Sequence, residues 1–150
     1  MYSRVARSNI WATKPLGIKV ILCSPPALIA PGFREMLKQC GLSHVAIEHD
    51  LDTALKDADV IMPLRLQKER QQGGLISSTR EYIQHYQLTR ERLSKAHPGA
   101  LVMHPGPINE GVEISNEVAY STQSLIEEQV TNGVAIRMAL LYLIASGKGH

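Results

Sequence analysis

The centre of the chain reads Ala58-Asp59-Val60-Ile61-Met62 and continues after Pro63 as Leu64-Arg65-Leu66-Gln67-Lys68-Glu69-Arg70. The apolar run at 60–62 predicts a strand, and the segment behind it places an arginine and a glutamine where that strand ends. In an open parallel α/β sheet, small ligands bind in the crevice outside the carboxyl ends of the strands. Polar side chains at this point are therefore candidates for substrate contact.

Arg65 and Gln67 have the chemistry of a site for an anion. They are two residues apart, so in extended backbone their side chains point to the same side. A guanidinium group holds a carboxylate through two parallel hydrogen bonds, and an amide supplies both a donor and an acceptor. We expect an anionic small molecule here. The alternative is a solvated charged turn that also includes Lys68, Glu69 and Arg70.

Strand and helix signals alternate along most of the chain. Further strands are predicted at 18–23, 45–49 and 101–103, and helices at 3–12, 33–40, 51–56 and in two parts between 78 and 93. The first helix is expected to turn Val5, Ile10 and Trp11 inward. This order predicts an α/β fold, a doubly wound, mostly parallel sheet of four to five strands with helices on both faces.

Capping residues mark several of the predicted helix ends. Asp50 and Thr89 are suited to accept from free N–H groups at the start of two helices, and Ser78 or Thr79 can do the same for a third. Gly41 can close the helix at 33–40 because glycine adopts the left-handed conformation without strain.

A second candidate site segment follows the last predicted strand and reads His104-Pro105-Gly106-Pro107. Each proline lacks an amide hydrogen and fixes φ at about −65°, so the segment predicts a rigid turn that can present carbonyl oxygens to an –NH₂ group. A plain strand-to-loop corner is the alternative, and Gly106 supplies the necessary backbone freedom in both cases. His104 is expected to form structural hydrogen bonds, with proton transfer as the alternative.

Composition excludes several function classes. The chain has 150 residues, enough for one domain with a core, and a net charge of +2 gives no basis for a nucleic-acid or membrane partner. Two isolated cysteines, Cys23 and Cys40, form neither a disulfide framework nor a metal motif. The start of the sequence lacks a secretion signal, and no apolar run reaches the length of a membrane span. A cytoplasmic location is the resulting expectation.

Cofactor motifs are also missing from the sequence. The turn after the first predicted strand is Ser24-Pro25-Pro26, which is not the glycine fingerprint that a dinucleotide requires. The remaining histidines have no ligand spacing. We therefore expect neither a cofactor nor a metal ion.

The last predicted helix, at about 124–145, is apolar on most of its circumference. Its apolar positions are Leu125, Ile126, Val130, Val134, Ile136, Met138, Ala139, Leu141 and Leu143. Such a helix should be buried on several sides, and a domain of 150 residues is small for that task.

Four ordered motifs closely resemble the carboxyl-terminal half of the aspartate carbamoyltransferase family, and the resemblance covers nearly the whole chain. They lie at 3–9, at 64–70 with Arg80-Glu81-Tyr82, at 104–109 with 111–114, and at 130–139. The resemblance implies that residues 1–150 form a single aspartate-binding domain. It also implies that the amino-terminal, carbamoyl-phosphate-binding domain lies outside this sequence and that the helix at about 124–145 packs on it.

The resemblance assigns roles to individual residues. It implies that Arg4 binds one carboxylate of L-aspartate and Arg65 the other, with Gln67 close by. The main-chain carbonyls of Pro105 and Gly106 are implied to accept from the –NH₂ of the carbamoyl group, and the loop after residue 70 to close on the substrate.

The implied activity is transfer of a carbamoyl group from carbamoyl phosphate to L-aspartate, which forms N-carbamoyl-L-aspartate and phosphate in pyrimidine biosynthesis. Because the phosphate-binding motif of the family belongs to the other domain, the catalytic set is incomplete here and this chain is expected to be inactive alone. Carbamoyl phosphate would be shared with that domain. A homo-oligomer, a trimer in the family, is implied as well.

Two departures and two alternatives accompany the resemblance. Tyr2 and Glu110 stand where a histidine and a basic residue are usual, and Glu110 reverses a charge beside the proline turn. A domain for ornithine or another amine is the first alternative, although ornithine enzymes typically have a cysteine in the segment corresponding to 104–107 and this chain has none. A non-catalytic regulatory or assembly module is the second.

Overall fold

The computed structural model describes residues 3–66 and 78–147. Within them it has four strands, β1 (Val20–Cys23), β2 (Val45–Glu48), β3 (Val60–Ile61) and β4 (Leu101–Val102). The α-helices are α1 (Arg4–Thr13), α2 (Phe33–Gln39), α3 (Leu51–Leu55), α4 (Thr79–Tyr86), α5 (Arg90–Leu93), α6 (Asn116–Ala119) and α7 (Ile126–Ala145). Short 3₁₀ helices lie at Lys14–Leu16 and Pro26–Leu28. The predicted α/β fold is confirmed.

Within the described residues the strands pair in parallel as two separate two-stranded sheets, so the single sheet of four to five strands predicted from the sequence is not observed. β1 pairs with β2, with Val20 opposite Val45, and β3 pairs with β4, with Val60 opposite Leu101. Parallel partners end at the same edge of a sheet, so the segments that follow β3 and β4 leave the sheet side by side. These are the two segments that the sequence singles out.

Side-chain caps fix where the helices begin. Asp50 accepts from the N–H of Thr53 at 2.6 Å, which confirms the predicted cap of α3. The hydroxyl of Thr89 caps α5 as predicted. Of the two candidates for α4 it is Ser78 that forms the cap, by accepting from the N–H of Glu81 at 3.0 Å.

Two apolar clusters form the core of the part of the chain that the structure describes. One contains Leu55, Leu88, Leu93, Val102, Ile114, Val118 and Ala119 and lies around β4. The other contains Ile10, Phe33, Leu37 and Leu42 and lies between α1, α2 and the β1–β2 pair. Val102 and Ile114 are both 0% exposed, so the segment between them begins and ends in rigid core.

Helix α1 buries a narrower face than predicted. Ile10 is buried as expected together with Ala6, four residues earlier and on the same face, but Val5 is 38% and Trp11 52% exposed. The predicted inward direction of Val5 and Trp11 is therefore wrong, because each lies one residue away from that face. The ammonium group of Lys14 lies 5.9 Å from the centre of the Trp11 ring and partly covers it.

Helix α7 is exposed along its length. It begins within two residues of the predicted start, and none of its residues is buried. Large apolar side chains face solvent on all sides of the helix; they are Val130, Val134, Ile136, Met138, Leu140, Leu141, Tyr142, Leu143 and Ile144. Of the helices that the structure describes, none combines the length and the hydropathy needed to cross a membrane.

Candidate functional site

The proline turn is anchored directly behind β4. The main-chain N–H of Met103 bonds the carbonyl of Ile61 at 2.9 Å, which extends the pairing of β4 with β3 to the edge of the turn. His104 follows with a side chain that is 0% exposed. Its main-chain N–H donates to Oε1 of Gln129 on α7 at 2.8 Å. The turn is thus fixed from both the sheet and the last helix.

The imidazole of His104 has the structural role that the sequence suggested. Its Nδ1 accepts from the main-chain N–H of Gly106 at 2.9 Å. A neutral imidazole that accepts at Nδ1 has its proton on Nε2, and Nε2 lies 3.3 Å from Oε1 of Glu113 without the alignment of a hydrogen bond. The ring thus acts as a buried support under the turn.

This support sets the direction of a carbonyl group. The N–H of Gly106 and the C=O of Pro105 belong to one trans peptide unit, in which the two groups point in opposite directions. Because the N–H points at the buried His104, the carbonyl of Pro105 points away from it. Gly106 has φ +65°, and a side chain there would begin 3.5 Å from Cγ2 of Val130. Glycine is the residue that this backbone favours.

Glu113 is a second buried polar group beneath the turn. Its side chain is 1% exposed, and its Oε1 accepts from the main-chain N–H of Asn109 at 2.7 Å. Burial alone raises the pKa of Glu113, but the facing His104 and the donor at Asn109 outweigh it and hold the pKa below the usual value. Glu113 is therefore ionised at neutral pH.

The lowered pKa of Glu113 predicts a pH dependence of stability. A carboxyl whose folded-state pKa lies below its unfolded value of about 4.3 stabilises the fold above that pH, and the contribution is lost as the pH falls through the folded pKa. We expect urea unfolding to show a smaller loss of stability below about pH 4.3 in Glu113→Gln than in the unsubstituted chain. Equal acid slopes for the two proteins would contradict this assignment.

Asn109 joins the segment that contains Arg65 to the proline turn. Its side-chain Nδ2 donates to the carbonyl of Leu66 at 3.2 Å, and Leu66 itself is 7% exposed. Arg65 immediately precedes this fixed residue and is half-buried. The structure thus brings Arg65 and the Pro105–Gly106 peptide to the same edge of the sheet. Gln67 lies outside the described residues, so its place in the site stays a prediction.

Arg4 lies on α1, and its contact with a ligand stays a prediction. It is the first residue of that helix and is exposed. The helix contacts the segment behind β3 through Asn9, whose Nδ2 lies 3.7 Å from the sulfur of Met62. Arg4 lies five residues before Asn9, about 7.5 Å along the helix axis. A ligand between Arg4 and Arg65 would therefore be bound from two different elements.

Glu110, the charge reversal noted in the sequence, is held at the surface beside the turn. Its Oε1 accepts from the hydroxyl of Tyr120 at 2.7 Å. The same hydrogen bond raises the pKa of Tyr120. This pair adds a negative charge at the surface beside the turn.

Asn109, Glu113 and Gln129 have no individual role predicted from the sequence. A weak signal exists for Glu113, since a carboxylate between the apolar residues Val112 and Ile114 indicates a charged group next to the core. The region that the structure describes contains no group of three or more His, Cys, Asp or Glu side chains that could hold a metal ion.

Known proteins similar to this chain are carbamoyltransferases. A family model described as aspartate/ornithine carbamoyltransferase, Asp/Orn binding domain, matches residues 1–144. The chain is 54% identical over 145 residues to an aspartate carbamoyltransferase catalytic subunit from Roseiflexus sp. (strain RS-1), with 97% of this chain and 45% of that protein covered. It thus spans less than half of this relative.

Solved structures show the same fold. An ornithine carbamoyltransferase from Pyrococcus furiosus superposes with a TM-score of 0.80 at 24% identity, over 96% of this chain and 47% of that one. An aspartate transcarbamoylase from Trypanosoma cruzi in complex with carbamoyl phosphate superposes with a TM-score of 0.69 at 29% identity, over 84% and 40%. The chain belongs to the aspartate/ornithine carbamoyltransferase family and corresponds to its Asp/Orn binding domain.

Proposed function

We propose that this chain is the aspartate-binding half of an aspartate carbamoyltransferase. The complete reaction would convert carbamoyl phosphate and L-aspartate into N-carbamoyl-L-aspartate and phosphate, a step of pyrimidine biosynthesis. The observation that supports this most is the hydrogen bond from Asn109 to Leu66, because it holds the Arg65 segment against the turn whose Pro105 carbonyl points away from the buried His104. A dicarboxylate clamp and an acceptor for an –NH₂ group would then be adjacent.

The proposed roles follow from the chemistry of each group. Arg65 and Gln67 bind one carboxylate of L-aspartate and Arg4 binds the other, through charge-assisted hydrogen bonds. The carbonyl groups of Pro105 and Gly106 accept from the –NH₂ of carbamoyl phosphate. The neutral substrate amine then attacks the carbonyl carbon, and the tetrahedral intermediate collapses as the C–O bond breaks and phosphate leaves with its electron pair and one of the amine protons. Catalysis would come from orientation and from stabilisation of the developing charge.

The proposal favours aspartate over ornithine as the amine substrate. The curated relative at 54% identity is named as an aspartate carbamoyltransferase, whereas the Pyrococcus furiosus ornithine enzyme, at 24% identity, supports the fold alone. Two guanidinium groups, on Arg4 and Arg65, also suit a substrate with two carboxylates. Ornithine has one carboxylate and an additional ammonium group, which Arg4 would repel.

We also propose that the complete enzyme combines this domain with a carbamoyl-phosphate-binding domain and assembles as a homo-oligomer in the cytoplasm. The exposed apolar side chains of α7 support a large partner surface, since contiguous apolar patches of this kind are typical of interfaces. The unpaired thiols of Cys23 and Cys40 fit a reducing compartment.

A complementation assay tests this proposal. The purified chain alone is expected to form no measurable N-carbamoyl-L-aspartate. Adding the part of the Roseiflexus catalytic subunit that this chain does not match should restore activity, and the same mixture with Arg65→Ala should stay inactive. Carbamoyl-aspartate formation by the chain alone, or binding of the two parts without any activity, would overturn the proposal.

The exposed α7 surface makes a separate prediction. We expect the chain to enhance the fluorescence of an apolar dye such as ANS, because Leu141 and Ile144 are 64% and 78% exposed. Replacing both with glutamine should reduce the signal. Leu16→Gln is the matched control, because Leu16 is 70% exposed but lies on the 3₁₀ helix Lys14–Leu16 rather than on α7. This variant should keep most of the dye fluorescence. Equal dye binding by all three proteins would contradict the prediction.

A further inference from the structure

One buried carboxylate oxygen is connected to both halves of the proposed site. Oε1 of Glu113 accepts from the main-chain N–H of Asn109 at 2.7 Å and lies 3.3 Å from Nε2 of His104. The side chains of His104 and Glu113 are 0% and 1% exposed, so water does not screen this contact. From Glu113 one series of contacts leads to the proline turn and another leads to Arg65.

The first series runs through His104. Its Nδ1 accepts from Gly106 only if the ring proton is on Nε2, and Nε2 faces the negatively charged Oε1 of Glu113. The carboxylate therefore favours the tautomer that can accept from Gly106. That hydrogen bond in turn directs the carbonyl of Pro105 away from the core.

The second series runs through Asn109. The bond from its main-chain N–H to Glu113 fixes the backbone of Asn109, and its side chain then reaches the carbonyl of Leu66 at 3.2 Å. Leu66 follows Arg65 directly. The position of the Arg65 backbone relative to the proline turn thus depends on where Oε1 lies.

We propose that Glu113 is a positioning residue that fixes the Arg65 segment and the Pro105 carbonyl in one geometry, so that a single ligand can contact both. Its part in ligand binding rests on the proposed function. Its part in orienting His104 and Asn109 does not. The positioning role of Glu113 depends on how far its carboxylate oxygen extends from the backbone, and not on its charge alone.

Two conservative variants separate the effect of side-chain length from the effect of charge. Glu113→Asp keeps the charge and shortens the side chain by one methylene group, so its oxygen cannot reach both partners; we expect succinate to bind about 10-fold more weakly. Glu113→Gln keeps the length and an acceptor oxygen, and should bind within about threefold of the unsubstituted chain. Calorimetric titration measures both. Glu117→Asp, at an exposed carboxylate paired with Arg90, is the control and should bind normally.

A double-mutant cycle tests the route to Arg65. Asn109→Ala removes the bond to Leu66 but leaves its own main-chain N–H for Glu113, so it should weaken succinate binding without moving the amide resonance of Gly106. The combined Glu113→Asp and Asn109→Ala variant should lose less affinity than the two single losses together, because both interrupt one series of contacts. Additive losses, or normal binding by Glu113→Asp, would overturn the proposal.

A spectroscopic readout keeps the test independent of ligand binding. Nitrogen-15 NMR should show His104 with its proton on Nε2, and Glu113→Asp should shift the Gly106 amide and the side-chain NH₂ of Asn109 while Glu117→Asp shifts neither. Unchanged resonances would overturn the positioning role even if the chain binds no succinate. If the unsubstituted chain does not bind succinate but Glu113→Asp still shifts these resonances, the result would count against the proposed function only.

Discussion

Replacing Arg65 with alanine is expected to weaken succinate binding by about 100-fold, since each hydrogen bond to a charged group contributes about 1.5–3 kcal/mol and a guanidinium group can form two with one carboxylate. Succinate has the two carboxylates of aspartate and no amine, so it reports binding without reaction. Isothermal titration calorimetry of the chain with succinate measures the change. This is the largest single-residue effect on ligand binding that the site predicts.

Two further variants keep this result interpretable. Arg65→Lys retains the charge but not the planar pair of donors, and should fall between alanine and the unsubstituted chain. Arg90→Ala removes an arginine whose guanidinium forms an exposed ion pair with Glu117, and should bind succinate normally. If Arg65→Ala and Arg90→Ala bind alike, Arg65 does not bind the carboxylate, and the alternative of a solvated charged segment is favoured over a substrate site.

Replacing Ile114 with alanine is expected to have the largest effect on stability. Ile114 is 0% exposed within the cluster around β4, and the main-chain N–H of the adjacent Ser115 donates to the carbonyl of Leu88 at 3.0 Å. Deletion of a buried isoleucine side chain to alanine typically costs about 2–5 kcal/mol because a cavity is left behind. Urea unfolding should show a loss of about 3 kcal/mol, with an unchanged slope.

The matched control for this substitution is Ile136→Ala on α7. Ile136 is 61% exposed, so its replacement should change the free energy of unfolding by no more than about 0.5 kcal/mol. The difference between two identical chemical changes isolates burial as the cause. Equal losses at both positions would show that α7 is packed in solution and that the exposed arrangement of this helix is wrong.

Local sequence signals were sufficient for most of the fold. The strands and helices were predicted where β-branched runs and caps coincide, as at Asp50 and Thr89, because these signals depend only on near neighbours in the chain. Helix α6 was not predicted, since its four residues form about one turn and show no period. Val5 and Trp11 were misplaced because an apolar residue can stay exposed when a smaller neighbour such as Ala6 faces the core instead.

The candidate site was predictable in its parts but not in its connections. Arg65 and the proline turn follow from strand ends and from the chemistry of their side chains. The bond from Asn109 to Leu66 joins residues 43 positions apart, and the buried contact of His104 with Glu113 depends on how the loop after the turn folds back. Such tertiary contacts leave no periodic pattern in the sequence. Gln67 stays a prediction, and so does the contact of Arg4 with a ligand.

Titration of the nitrogen-15-labelled chain with succinate, and separately with ornithine, tests the central claim most directly. An aspartate-binding domain predicts that succinate shifts the amide resonances of Arg65 and Gly106 in a saturable way, and that ornithine shifts neither at the same concentrations. Saturable shifts of both resonances with ornithine, and none with succinate, would contradict the account.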